Sequence, residues 1–334
     1  MADILMRSTL FSPKLSSYYA KPLFMILIKS IVFMLMFMIV DRSTYALLKK
    51  ASKYAVSGDY VINAVIKTRP DIIILGASRA QNHYVSSLIF EDTGLSTYNL
   101  GYGGSSVLLQ YAQLLTILQS YNPKLIIYEI MGDDFSEWFS MPHSVAPLMV
   151  YNDIVEISEI LAKLDKYHIY KSYIKSYQFN GNIYLLASGV LHRQSLSMDC
   201  GYVPIYESNL PQLLKMKPKA KEEVAFSSSQ VIKKAFNDML ILASNNQANM
   251  LFLRSPYYKD IRSPINSQID PAVKDLISQY QYPLYDINEH YSCEFNDPKL
   301  FKDFGHMTDL GARMYTKKIM PLIIHHLKSS THSK

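Results

Sequence analysis

"DIIILGASRAQN", residues 71–82, is the stretch whose reading decides the fold. Ile72–Leu75 are four consecutive aliphatic residues, and a strand with one wet face would alternate instead. They therefore read as a strand buried on both sides, stopped by a tight turn at Gly76. Ser78 stands where the chain leaves that strand. The stretch alone leaves two roles open: a helix cap, or a nucleophile held at the end of a rigid element.

Four more short apolar runs follow the same pattern: Thr97–Leu100, Leu125–Ile130, Met250–Leu253 and Pro283–Ile287. Helical patterns alternate with them over roughly 79–92, 106–121, 229–246, 270–280 and 309–327. Strand-then-helix alternation predicts a parallel sheet covered on both faces. The expected fold is α/β: a three-layer α/β/α sandwich with a five-stranded parallel, flavodoxin-like sheet. In such sheets a ligand site lies beyond the carboxyl ends of the strands. Residues 135–228 break the alternation and read as an insertion between the third and fourth strands. Within it Tyr167, Tyr170, Tyr173 and Tyr177 recur at helical spacing with lysines between them. The expectation there is a helix docking its tyrosines on the domain; a sugar-stacking or membrane-surface face is the other reading.

Composition narrows the class. Hydrophobic residues at 49% with 19% charged residues describe a globular chain. A net charge of +6 with no dense basic run gives no sign of a nucleic-acid partner. The two cysteines, Cys200 and Cys293, are far apart, which implies no metal site. They are left as a disulfide pair or as two separate thiols. No cofactor is implied either. Pro22–Val40, PLFMILIKSIVFMLMFMIV, carries a single charge, Lys29, and is long enough to cross a bilayer. It exceeds the apolar core of a cleaved signal and lacks a good cleavage site, so an uncleaved signal anchor is expected. Basic residues flank it on both sides, so charge does not decide its orientation. The expected organisation is a short tail (1–21), an anchor (22–40), a neck (41–69) and a globular domain (70–328).

Chemistry-bearing residues gather at three places. Gly76-Ala77-Ser78-Arg79 follows the first strand, "NLGYGG" (Asn99–Gly104) the second, and "DFGHMTDLGA" (Asp303–Ala312) opens the last helix. A serine hydroxyl needs a base, and an imidazole needs an acid to fix its tautomer. Asp303 and His306, three apart, suit that pairing and can be aimed at Ser78. Glycine backbone beside the serine lets amide N–H groups face a developing oxyanion. A dinucleotide turn of the Gly-x-Gly-x-x-Gly kind is missing after the first strand. Asp303-Phe304-Gly305 also spells the kinase tripeptide, without the rest of that signature.

In this order the three blocks resemble the SGNH (GDSL-like) hydrolase superfamily, over about residues 70–328. The resemblance implies Ser78 as nucleophile, His306 as base and Asp303 as its orienting acid. It also implies an oxyanion hole from the N–H groups of Ser78 and Gly104, with Asn99 structural. The third block departs from the family's Gly-x-Asn-Asp: here "EIMGDDFSEW" puts Asp133 near the asparagine position. The N-terminal anchor is similar to that of the membrane-anchored branches, which decorate surface glycans beside membrane-bound O-acyltransferases. The activity this implies is transfer or hydrolysis of an acyl group, acetyl by the same resemblance, on a cell-surface polysaccharide outside the cytoplasm. The alternative is an accessory protein of the same fold that binds glycan or a membrane acyltransferase without chemistry.

Overall fold

The computed structural model describes residues 13–55, 60–141, 146–180, 186, 199–216, 229–259, 269–290 and 294–331. Each apolar run forms a strand: β1 (Ile72–Leu75), β2 (Thr97–Asn99), β3 (Leu125–Glu129), β4 (Met250–Arg254) and β5 (Leu284–Asp286). All pair in parallel, in the order β2-β1-β3-β4-β5. The register sets Ile72 beside both Thr97 and Leu125, and Ile126 beside Met250. From β1 the chain winds outward to β2, then crosses back to β3. In sheets of this kind the ligand crevice belongs at the carboxyl end of β1, where that direction reverses.

Uninterrupted apolar strands are explained by what lies on each face. Ile72, Ile74, Leu125, Ile127, Leu251 and Leu253 point to one side. There they meet α3 (Ser78–His83), α4 (Ser86–Thr93) and α10 (Asp309–Thr331). Alternate residues Ile73, Leu75, Ile126, Tyr128, Met250 and Phe252 point the other way. They meet α2 (Ile62–Thr68), α5 (Val107–Leu118), α8 (Gln230–Asn245) and α9 (Pro271–Gln279). Three layers result, as the sequence predicts.

One expected helix is split. The 79–92 pattern becomes α3 and α4, with Tyr84 and Val85 extended between them. Polar side chains from elsewhere take the groups that a continuous helix would use. Asn99 Nδ2 donates to the carbonyls of Ala80 and Tyr84. Thr316 Oγ1 bonds the His83 carbonyl and accepts from Val85 N–H.

Between β3 and β4 the insertion contributes α6 (Val155–Leu164), α7 (His168–Tyr173) and a 3₁₀ turn over Lys175–Phe179. Its strand-free stretch 199–210 is a strap. Cys200 O accepts from Asn99 N–H on the open edge of β2, and Val203 N–H donates to Gln81 O in α3. Asp309 N–H donates to Ile205 O, and Asn209 N–H to Lys302 O. The insertion thus joins the serine side of the crevice to the loop that leads into α10. Cys293, and with it any pairing to Cys200, lies outside the described residues.

The N-terminal helix is longer than the apolar run, in keeping with a helical neck. α1 (Pro13–Ser52) does not end with the apolar run but continues through the first half of the expected neck. It is the described helix long and apolar enough to cross a membrane. In the insertion, the expected docking of the tyrosine stripe fails at three of its four members, while Tyr177 is half-buried. Tyr167, Tyr170 and Tyr173 are 54%, 70% and 71% exposed. Helical spacing aligns them, but His168 is the residue of that turn that faces the domain.

Candidate active site

Gly76 sets the entry to the site. Its φ of +145° lies where side chains are strained, and a Cβ would stand 2.8 Å from Ala80 Cβ and 3.0 Å from Glu129. Only glycine lets β1 turn directly into α3. The N-cap of α3 is Ala77, so Ser78 is its first helical residue and not its cap. At that position a backbone N–H has no acceptor within the helix. The hydroxyl is directed elsewhere: Ser78 Oγ lies 2.8 Å from His306 Nε2.

His306 is presented by a loop wound around Asp303. Asp303 Oδ1 accepts from the N–H groups of Gly305 and His306, each at 2.9 Å. Both carboxylate oxygens lie 3.0 Å from His306 Nδ1. That contact places the ring proton on Nδ1 and leaves Nε2 to accept from the serine. Burial would raise the pKa of Asp303. The hydrogen bond and charge of His306, with the two N–H groups, outweigh burial, so it is lowered. Phe301 bridges Met307 across the loop, and Lys302 N–H donates to His306 O. Ser78 is half-buried, and the His306 and Asp303 side chains keep 33% and 31% of their exposure. A substrate can therefore reach the hydroxyl.

The second glycine turn flanks the serine. Asn99 Oδ1 accepts from Gly101 N–H, and Gly76 O accepts from Tyr102 N–H. Asn99 is buried. A Cβ on Gly103 would stand 3.8 Å from Ser78 Cβ, whereas one on Gly104 would meet nothing within 4 Å. Gly103 is thus the glycine held against the serine, and Gly104 follows it on the exposed turn with φ +75°. In the third block Asp134, not Asp133, folds inward. Asp134 Oδ2 accepts from Met131 N–H at 2.7 Å. Burial pushes its pKa up to about 7, with Glu129 and Asp133 adding to the rise. Asp133 is half-buried on the same turn.

Behind the triad lies a buried polar group that the motifs do not announce. Arg79, next to Ser78, pairs with Glu129 at 3.2 Å, and each side chain is 1% exposed. Ser255, just past β4, sits between them. Its hydroxyl donates to Glu129 Oε1 at 2.6 Å and accepts from Arg79 at 2.8 Å. Tyr84 donates to the other carboxylate oxygen. His83, fully buried, places Nδ1 2.7 Å from Ser255 Oγ and accepts from Met307 N–H on Nε2 at 2.9 Å. Burial holds His83 well below its usual pKa, and the charges of Arg79 and His306 add to that. The neutral ring then donates from Nδ1 and accepts on Nε2, as both contacts require. Burial also raises Glu129, against the pull of Arg79, Ser255 and Tyr84.

This group ties the residue after Ser78 to the residue after His306 through β3 and β4. Chemically, the arrangement can deprotonate a serine and direct it at a carbonyl. Among the described residues no set of three or more His, Cys, Asp and Glu side chains is placed to hold a metal. No family model matches the chain, and no curated protein matches it.

Proposed function

We propose that this chain is a membrane-anchored serine esterase or O-acyltransferase of the SGNH type. The carrying observation is the Ser78–His306–Asp303 relay at 2.8 and 3.0 Å, at the carboxyl end of the first strand. In the reaction His306 Nε2 takes the Ser78 proton as Oγ attacks an acyl carbonyl. The backbone N–H groups of Ser78 and the Gly103-Gly104 turn are the donors for the oxyanion. As the tetrahedral species collapses, His306 returns the proton to the departing alcohol, leaving acyl-Ser78. A sugar hydroxyl or water then attacks that ester, giving up its proton to His306 and releasing free Ser78. The resemblance supports acetyl as the acyl group, a cell-surface polysaccharide as acceptor and a membrane-bound O-acyltransferase as neighbour. α1 supports anchoring, and the resemblance supports a domain outside the cytoplasm.

The third block favours a second reading. It presents Asp133 and Asp134 where the family has a side-chain amide donor, and a carboxylate cannot donate to an oxyanion unless protonated. A missing donor of that kind costs about 2.7–4 kcal/mol of barrier in other enzymes. On this reading the protein binds glycan or an acyltransferase without chemistry. A fluorophosphonate probe separates the two. The catalytic reading expects covalent labelling at Ser78, abolished in Ser78→Ala and accompanied by cleavage of a chromogenic acetyl ester. A folded protein that takes up no probe would sink it.

A further inference from the structure

The junction between α1 and the insertion holds information that the catalytic reading does not use. Large apolar side chains from Leu23 to Val40 are 44–70% exposed, whereas Asp41 is 6% exposed. The helix passes from uncovered to docked within one residue. Asp41 accepts from the N–H groups of Lys175 and Ser176 at 2.9 Å and from Ser176 Oγ at 2.7 Å. Arg42 Nη1 donates to Tyr173 O at 3.2 Å. One turn later Tyr45 meets Phe179, with ring centroids 6.0 Å apart, and its hydroxyl bonds Asp153.

These contacts fix the end of α7 relative to the apolar run. Pro22–Val40 is 19 residues, or roughly 28 Å of helix, close to the thickness of a hydrocarbon core. With that run inside a bilayer, Val40 marks the edge of the hydrocarbon. The headgroup layer beyond it is about 5–7 Å deep, or about four helical residues. Residues bonded to Asp41 and Arg42 therefore lie in that layer. What the insertion presents there is Ile169, Tyr170, Tyr173 and Ile174, at 58%, 70%, 71% and 38% exposure. Lys166 lies over the Tyr167 ring at 4.8 Å beside them. Large apolar and phenolic side chains with lysine at the margin form the composition of a membrane-interface belt. Exposed apolar residues scattered singly are ordinary, but these lie together at helical spacing beside the span.

We infer that the outer face of α7, continued by Ile174, seats in the headgroup layer of the bilayer that α1 crosses. The occupant is phospholipid, and the continuity of the patch with the span at Asp41 is what selects it. The seat gives the domain a second attachment besides α1, so that its crevice keeps one orientation to the membrane surface. This inference rests on α1 as an anchor.

The test uses the full chain in bilayers of phosphatidylcholine and phosphatidylglycerol without other protein. Trp138 is the single tryptophan, so Trp138→Phe gives a dark background into which Tyr170→Trp or, separately, Tyr173→Trp is placed. Acyl chains brominated near the headgroup are expected to quench the introduced indole at least about twofold, with blue-shifted emission. Carbonate extraction is run on the same vesicles. Protein that resists carbonate but emits as a hydrated, unquenched indole at both positions overturns the seat alone. Release by carbonate overturns the anchor and the seat together.

Discussion

The front and the back of the candidate site are built from adjacent residues, yet they work under opposite conditions. Ser78, Asp303 and His306 stand partly open to solvent, whereas Arg79, His83, Glu129 and Ser255 are at most 1% exposed. Arg79 follows Ser78 in sequence, and Met307, held by His83, follows His306. Reactive groups need access. The charges behind them need to be excluded from water and fully partnered, because an unpartnered buried charge is costly. Substitutions at the front should therefore change chemistry and spare the fold, and substitutions at the back should cost mainly stability, reaching the chemistry only through the placement of Ser78 and His306.

The largest expected effect is at the front. His306→Gln keeps a polar side chain but removes the imidazole that the proposed mechanism uses as base, so fluorophosphonate labelling of Ser78 should slow by a factor on the order of 10³ or more. The thermal midpoint should move by less than about 3 °C, since the ring is a third exposed and only lightly packed. A large fall in that midpoint would break the division between front and back.

Next comes Glu129→Ala, which leaves the Arg79 guanidinium buried without its carboxylate. Removing one member of a buried ion pair costs about 3–5 kcal/mol. Chemical denaturation should show that loss, and a change under about 1 kcal/mol would mean that Ser255 and water replace the carboxylate adequately.

The same division explains what was legible in the sequence. Ile72–Leu75 and its counterparts in β3 and β4 announce buried strands because both faces of the central sheet are covered, whereas the edge strands carry Thr97 and Asn99 in β2 and Asp286 in β5, with Tyr285 exposed. Ser78, Asp303 and His306 were readable because a triad needs those residue types at the ends of elements. Arg79 and Glu129 were not. Arginine beside a serine reads as a surface residue, and their burial follows only from β1 and β3 lying side by side. The available signal was a lone glutamate closing the apolar run "KLIIYEI" on a strand expected to be buried. The break at Tyr84–Val85 depends on Asn99 and Thr316, distant partners that local helical periodicity does not register. The tyrosine stripe shows a different limit. Periodicity gives which residues share a face, not what covers it.

A smaller effect, with the opposite sign, is expected from Asp134→Asn. Folding raises this carboxyl from 3.8 to about 7, so the folded state binds a proton that the unfolded chain has released. Its stability contribution is complete below about pH 4 and is lost as the pH rises through about 7. The difference corresponds to roughly 4 kcal/mol at most. The substituted amide keeps an oxygen for the one contact that matters, acceptance from Met131 N–H. Asp134→Asn should accordingly match the parent at pH 4 and exceed it in urea midpoint at pH 8. Equal midpoints at pH 8 would mean that the carboxylate finds water or a cation when it ionises.

The smallest expected effect tests whether the back positions the front. His83 is held neutral, while in the unfolded chain it takes up a proton near pH 6.5. The stability it gives is therefore present above about pH 6.5 and declines as the pH falls below it. His83→Gln keeps one donor for Ser255 and one acceptor for Met307 N–H but does not titrate. At pH 8 the variant should lose about 1 kcal/mol from imperfect geometry, and that deficit should shrink toward pH 5 as the parent's own stability declines. Labelling of Ser78 should slow about tenfold at pH 8, because Met307 N–H no longer fixes the His306 backbone as tightly. His83→Leu, which removes both contacts, should slow it further and flatten the pH dependence of stability in the same way. If Gln and Leu label at the parent's rate while losing stability, His83 supports the fold without orienting His306, and the link between back and front is broken at that residue.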